Sequence, residues 1–303
     1  MLRVIPDGLD DQPPTTESAA ALPTPPTMRV DGCSVAAPGQ SDNEDQVFQY
    51  GNLVGVLDGA TAPVGFDSGC VHGPAWYVRR LAARIGLAAA DAPTAPLAGL
   101  LTDAIQAVRD DHGGRCDLAH PGTPSSTVCL LRGSGGHLDY LVLCDSPLVF
   151  GSDGEVGVVA DDRLAAAMAR QPDQHRSDGP NDQQASYRRA VRWQRQQTNQ
   201  PAGYWVAAAD PAAANRALSG TLPLTGPGRI VRAALLSDGA SRAVEQFELF
   251  DWAGLLDLLG TAGPAELIRR VRAAERVVDH AGRAPRRKQH DDATAVFCLF
   301  DGG

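Results

Sequence analysis

The chain has 303 residues, 43% of them hydrophobic, and a formal net charge of −9. That length supplies one large globular domain or two modest ones, and the acidic balance excludes the basic face that non-specific nucleic-acid binding requires. No stretch approaches the roughly 20 apolar residues that span a bilayer, and the opening "MLRVIPDGLDDQPP" lacks an apolar signal core, so a cytoplasmic protein with no membrane partner is expected.

Residues 1 to 27 are rich in Pro, Thr and Asp without an apolar period, which predicts a disordered leader ahead of a single domain over 28–303. From Met28 the pattern turns to strands: "MRVDGCSVAA", "QVFQY" and "NLVGVLDG". Two helices follow. "GPAWYVRRLAARIGLAAA" has Pro74 near its start, and "TAPLAGLLTDAIQAVRDDHGG" has Thr94 as N-cap and Leu97, Leu101, Ala104 and Val108 on one face. The runs "SSTVCLLRG", "HLDYLVLCDSPLVF" and "EVGVVADD" read as further strands.

Residues 163–203 are Gln- and Arg-rich and predict a short helix plus a flap, with arginines forming a solvated face or touching an anionic substrate. Tyr204 and Trp205 then read as an apolar anchor for the flap's base. "GRIVRAALLSDGAS" is a strand ending at Asp238-Gly239. "PAELIRRVRAAERVVDH" is an amphipathic helix with Leu267, Val271, Ala274 and Val278 in phase, and "HDDATAVFCLF" a closing strand. Strand runs alternating with helix pairs imply one layered α+β domain. The six cysteines contain no C-x-x-C pair and read mostly as small buried hydrophobes, giving poor support to a zinc site or a disulfide framework.

Acidic residues recur at strand ends: Glu44-Asp45, Asp58-Gly59, Asp145, Asp238-Gly239 and Asp291-Asp292. Carboxylates gathered at one end of a sheet repel one another unless a cation compensates them. Hard divalent ions such as Mg²⁺ or Mn²⁺ suit such oxygen donors, and a pair of them activates water for displacement at phosphorus. No cysteine nucleophile is evident: around Cys116, "HGGRCDLAH" has its arginine before the cysteine.

The order N-E-D, V-x-D-G, the "SSTVCLLRG" strand before a D-S turn, L-x-S-D-G and D-D-x-T over residues 28–300 resembles the metal-dependent type 2C (PPM) protein serine/threonine phosphatases. The resemblance implies a four-layer αββα sandwich with two mainly antiparallel β-sheets flanked by helices and a dinuclear metal centre at one end. It implies that Asp58 bridges two Mg²⁺ or Mn²⁺ ions, that Glu44 and the Gly59 carbonyl hold one, and that Asp238 and Asp291 hold the other. Asp45 would orient water, Asp145 would help Asp238 hold a weaker third ion, and Asp292 would be a neighbour rather than a ligand. The implied reaction is hydrolysis of phosphoserine or phosphothreonine in a protein partner by attack of a metal-bridging water, with a monomer favoured.

Two departures stand out. Gln40 occupies the position where the family carries a phosphate-clamping arginine. Ala60 replaces the histidine of D-G-H-G-G, followed by an insertion, "DGATAPVGFDSGCVHG". Thr61, beside the proposed metals, and Gln40 are candidate substrate-binding residues. His72 is a candidate leaving-group acid, or else a hydrogen-bonded residue at a helix start. Arg79 and Arg80 are phosphate contacts or a solvated face. The altered loop admits an alternative, the same chemistry on a small phosphorylated metabolite or biosynthetic intermediate, and a third reading is a pseudophosphatase that binds a phosphorylated partner.

Overall fold

The computed structural model describes residues 27–60, 67–152, 154–171, 183–280 and 290–301. The expected leader lies outside the described residues, except Thr27, which opens the first strand; Thr61 and residues 172–182 of the expected flap also lie outside them.

Among the described residues, ten strands form two five-stranded antiparallel sheets. One has the order β1 (Thr27–Val35), β10 (Ala293–Asp301), β9 (Arg232–Leu236), β6 (Leu148–Gly151), β7 (Val156–Val159). The other has the order β2 (Asp45–Tyr50), β3 (Leu53–Gly59), β4 (Ser126–Ser134), β5 (His137–Leu143), β8 (Leu218–Pro223). The period-2 pattern of β3 explains why the sheets stack. Leu53 and Leu57 face the helices α1 (Pro74–Asp91) and α2 (Leu97–Asp111), whereas Val54 and Val56 face Ala233, Leu235 and Val296 of the opposite sheet. Beyond that sheet lie α5 (Asp238–Glu245) and α6 (Trp252–His280), whose Leu255, Leu259, Leu267 and Val271 pack on Ala234, Leu236 and Phe297. The layers are therefore αββα, as expected from the sequence.

Several local readings change. Thr94 does not cap α2; the helix starts at Leu97 with Pro96 in the capping position and no side-chain cap. The buried face of α6 continues to Glu275 rather than Ala274, and the fully buried Glu275 carboxylate is held by Arg272 and His290. Gly263, at φ 79° and followed by Pro264, breaks α6 into two segments. The edge strand β8 was not anticipated, because its mostly exposed "LSGTLP" carries little apolar alternation.

The stretch "HLDYLVLCDSPLVF" forms two strands, β5 and β6, on either side of the Asp145 turn, and they belong to different sheets, so the turn crosses from one sheet to the other. Antiparallel pairing then brings the acidic residues to one end. The start of β2 lies opposite the end of β3, the start of β4 opposite the end of β5, and the start of β10 opposite the end of β9.

Gly239 is required where α5 meets the approach to β10: a Cβ there would lie 1.9 Å from the Asp292 carbonyl oxygen. Gly239→Ala is expected to cost about 1–3 kcal/mol through overpacking. Gly99, exposed within α2 with open space at its Cβ position, should gain about 0.5–1 kcal/mol on conversion to Ala. Thermal melts of the two variants check these opposite signs.

Candidate functional site

Asp45 and Asp58 are directly opposed in the β2–β3 ladder, where like charges destabilise. Asp45 is 4% exposed, and neither carboxylate oxygen meets a donor in good geometry. Burial first, then the charges of Asp238 and Asp292, push its pKa up to about 7, although the nearby Thr294 and Ser237 hydroxyls pull the other way. Asp58 is half-buried at the cavity wall. Burial and, in order, Asp45, Asp238, Asp291 and Asp145 hold it well above the usual carboxylate range. One compensating contact is the Asp238 N–H, 3.3 Å from Asp58 Oδ2. Asp145 is pushed up to about 7 by burial and then by Asp238. Asp238 Oδ1 is buried without a hydrogen-bond partner.

The backbone holds these groups in place. The Gly59 N–H donates to the Glu44 carbonyl at 2.9 Å, and a Cβ on Gly59 would lie 2.6 Å from that oxygen. Asp292 accepts from the Ala37 N–H at 2.7 Å and the Glu44 N–H at 2.6 Å, so its carboxylate staples the β1–β2 connection to the start of β10. Cys144 adopts φ 69°, a left-handed conformation that strains a non-glycine residue. It precedes Asp145, and its side chain packs with Ala167, Tyr204 and Val206.

Asp58, Gly59, Asp145, Asp238 and Asp291 line a cavity of about 300 Å³, with Asp45 opposite Asp58 in the adjoining strand. Glu44 reaches this end through its backbone, but its side chain is not among the cavity's described lining residues. Gln40 is exposed in a turn, its N–H donating to the Ala37 carbonyl, and Arg79 and Arg80 are exposed on α1. His72 is not among the lining residues either; it sits with Cys70, His112 and Cys116.

Two lining arginines were not singled out from the sequence. Arg242 donates to Asp291 at 3.1 Å and lies one helical turn after Asp238, so the i,i+4 spacing within "SDGASR" was a usable signal. Arg195, 5% exposed, comes from α4 (Gln183–Gln196) within the Gln/Arg-rich segment. Its guanidinium bonds the Ser125 hydroxyl at 2.9 Å and the Ala60 carbonyl at 2.7 Å, and no local pattern distinguishes it from its solvated neighbours.

The donor set fits hard divalent cations. Several buried carboxylates share one space, oxygens of Asp45 and Asp238 lack partners, and the shifts of Asp45, Asp58 and Asp145 express like-charge crowding.

No family model and no curated protein matches this sequence. Solved structures do. The catalytic domain of the serine/threonine protein phosphatase PstP in complex with two manganese ions is 17% identical, with a TM-score of 0.54 over 91% of this chain and 99% of that one. The Mycobacterium tuberculosis phosphatase PstP/Ppp is 16% identical, with a TM-score of 0.55 over 90% and 98%. The PPM Ser-Thr phosphatase MsPP from Mycobacterium smegmatis, in complex with cacodylate, is 18% identical, with a TM-score of 0.52 over 91% and 98%. This chain therefore has the fold of those phosphatases.

In the native protein without divalent ions, Asp45 and Asp145 retain protons up to about pH 7. The unfolded chain releases those protons near pH 4. At these two groups the folded state thus binds more protons across that window, so their contribution to stability falls as pH rises from about 4 to about 8. Thermal melts in EDTA should show this decline, and Mn²⁺ should raise the melting temperature most at the alkaline end. Stability that instead rises through the window would mean that the carboxylates are not crowded.

Proposed function

We propose that the chain belongs to the metal-dependent type 2C phosphatases and hydrolyses phosphoserine or phosphothreonine in proteins. The observation that carries this reading is the convergence of Asp58, Asp145, Asp238 and Asp291 on one cavity, with partnerless buried oxygens on Asp45 and Asp238. Asp58, Glu44, the Gly59 carbonyl, Asp238 and Asp291 would hold two Mg²⁺ or Mn²⁺ ions, with Asp145 and Asp238 available to a third. When bound, the ions supply an activated water and offset the charge that develops at phosphorus.

The chain's own groups do the remainder. Asp45, buried opposite Asp58, orients water. Arg195, fixed by Ser125 and Ala60, supplies the phosphate contact that Gln40 cannot, and Arg242, held by Asp291, adds a second positive group to the wall. No histidine occurs among the described residues lining the cavity, so protonation of the departing alkoxide falls to solvent rather than to His72.

A small phosphorylated substrate is the second reading. It is favoured by α4, whose Ala190, Val191, Gln194 and Arg195 wall one side of the cavity and restrict it. Among the described residues no helix is long and apolar enough to cross a membrane.

Phosphate release from a phosphothreonine peptide and from p-nitrophenyl phosphate, with Mn²⁺ or Mg²⁺, tests the proposal. Turnover should need metal and fall by roughly a thousandfold in Asp58→Asn. Arg195→Ala should act mainly on KM, by about 10-fold or more, through the lost charge-assisted contact. Turnover of the small ester alone would select the second reading, and metal binding without turnover of either would remove the enzymatic one.

A further inference from the structure

A second cluster of metal-ligating side chains lies apart from the acidic cavity. Cys70 and His72 precede α1, while His112 follows the last residue of α2 and Cys116 lies one short turn beyond it. Their donor atoms all fall within 4.8 Å of one another. The two sulfurs are 3.0 Å apart, and each is 3.5 Å from His72 Nδ1.

His112 shows that the cluster is directed at something. The ring is 2% exposed, and its Nδ1 lies 2.8 Å from the Val108 carbonyl oxygen. A carbonyl only accepts, so Nδ1 carries the proton and Nε2 presents a lone pair. That Nε2 is buried without a hydrogen-bond partner, which is unfavourable for an isolated acceptor. A backbone carbonyl holding one imidazole nitrogen while the other faces its neighbours is the arrangement that orients metal-ligating histidines.

The surrounding chain is shaped to the same end. Gly113 and Gly114 take φ values of 62° and 70°, a turn that brings Cys116 back towards His112. The Asp117 N–H donates to the Gly69 carbonyl at 2.7 Å, joining the two contributing loops. Trp76 stacks on His72 with ring centres 3.9 Å apart and meets His112 edge-on at 4.8 Å, forming an apolar wall.

We propose that Cys70, His72, His112 and Cys116 bind one Zn²⁺ as a structural site. Two thiols and two imidazoles are the soft donor set that zinc selects over the hard ions suited to the acidic cavity. With zinc–sulfur bonds near 2.3 Å in a tetrahedron, the sulfurs must separate to about 3.8 Å, a small expansion of the cluster. Binding releases the two thiol protons to solvent and changes no oxidation state. Four protein ligands leave no open position for a reacting water, so the site is structural rather than catalytic. Its effect is to clamp the residues just ahead of α1 to the end of α2. It also commits His72 to a ligand's role.

The experiment is elemental analysis of the full chain purified under reducing conditions, with cysteine alkylation mapped by mass spectrometry and Co²⁺ exchanged for the bound metal. About one zinc per chain should survive dialysis, as a closed four-ligand site retains its ion. Co²⁺ should give the intense visible absorption of tetrahedral thiolate ligation, and Cys70 and Cys116 should resist alkylation until a strong chelator is added. Cys116→Ser and His112→Gln should weaken zinc binding by at least the ~10–100-fold that follows loss of a mere supporting partner. Because either variant could unfold, the wild-type zinc content and alkylation map decide the matter independently. Asp58→Asn should keep its zinc, whatever it does to phosphatase turnover. Zinc-free protein with both cysteines freely alkylated, a Cys70–Cys116 disulfide in the purified chain, or undiminished zinc in Cys116→Ser would each overturn the proposal.

Discussion

Mutual repulsion among carboxylates at one end of the sandwich is the constraint around which the rest of the structure is arranged. Asp45 and Asp58 stand opposite one another in a ladder, and Asp145, Asp238 and Asp291 add their charges to the same space. A hydrophobic sandwich gains nothing from this on its own; raised pKa values and partnerless buried oxygens are the signs of an unfavourable local arrangement. Such an arrangement persists when the surrounding fold over-determines it, and here the two cores to either side of the sheets and the core between them do so.

The over-determination is largely a matter of backbone. Gly59 and Gly239 allow approaches that no Cβ could accommodate, one against the Glu44 carbonyl and the other against the Asp292 carbonyl. Asp292, acidic like its neighbours, serves the framework by accepting two backbone N–H groups. Cys144 tolerates a left-handed backbone so that the chain can leave one sheet and enter the other at Asp145. Arg242 brings positive charge to Asp291 within a single turn of α5.

The helical layer over β3 contains a second, chemically different gathering of ligand atoms. The acidic cavity is built from oxygens on strand ends, whereas the Cys70–Cys116 cluster is built from sulfur and nitrogen on loops flanking α1 and α2. The donors of the two gatherings differ in softness, hard oxygens in one and sulfur and nitrogen in the other.

The layered α+β class, α1, α2, the second half of α6, most strands and the acidic strand ends were legible in the sequence, because period-2 and period-3.6 apolar patterns and Asp-Gly turns are local signals; α5, the first half of α6 and β8 were not. The sequence alone therefore pointed to Asp58, Asp145, Asp238 and Asp291, which the fold brings to one cavity. Tertiary structure decided what local patterns cannot carry. It placed β5 and β6 in different sheets and picked Arg195 from a run of exposed arginines. It also moved His72 from a candidate acid at the cavity to a partner of Cys70, His112 and Cys116. The reason is the same in each case: proximity between residues far apart along the chain is set by how the layers stack, and the apolar period of any one segment contains no information about its distant neighbours.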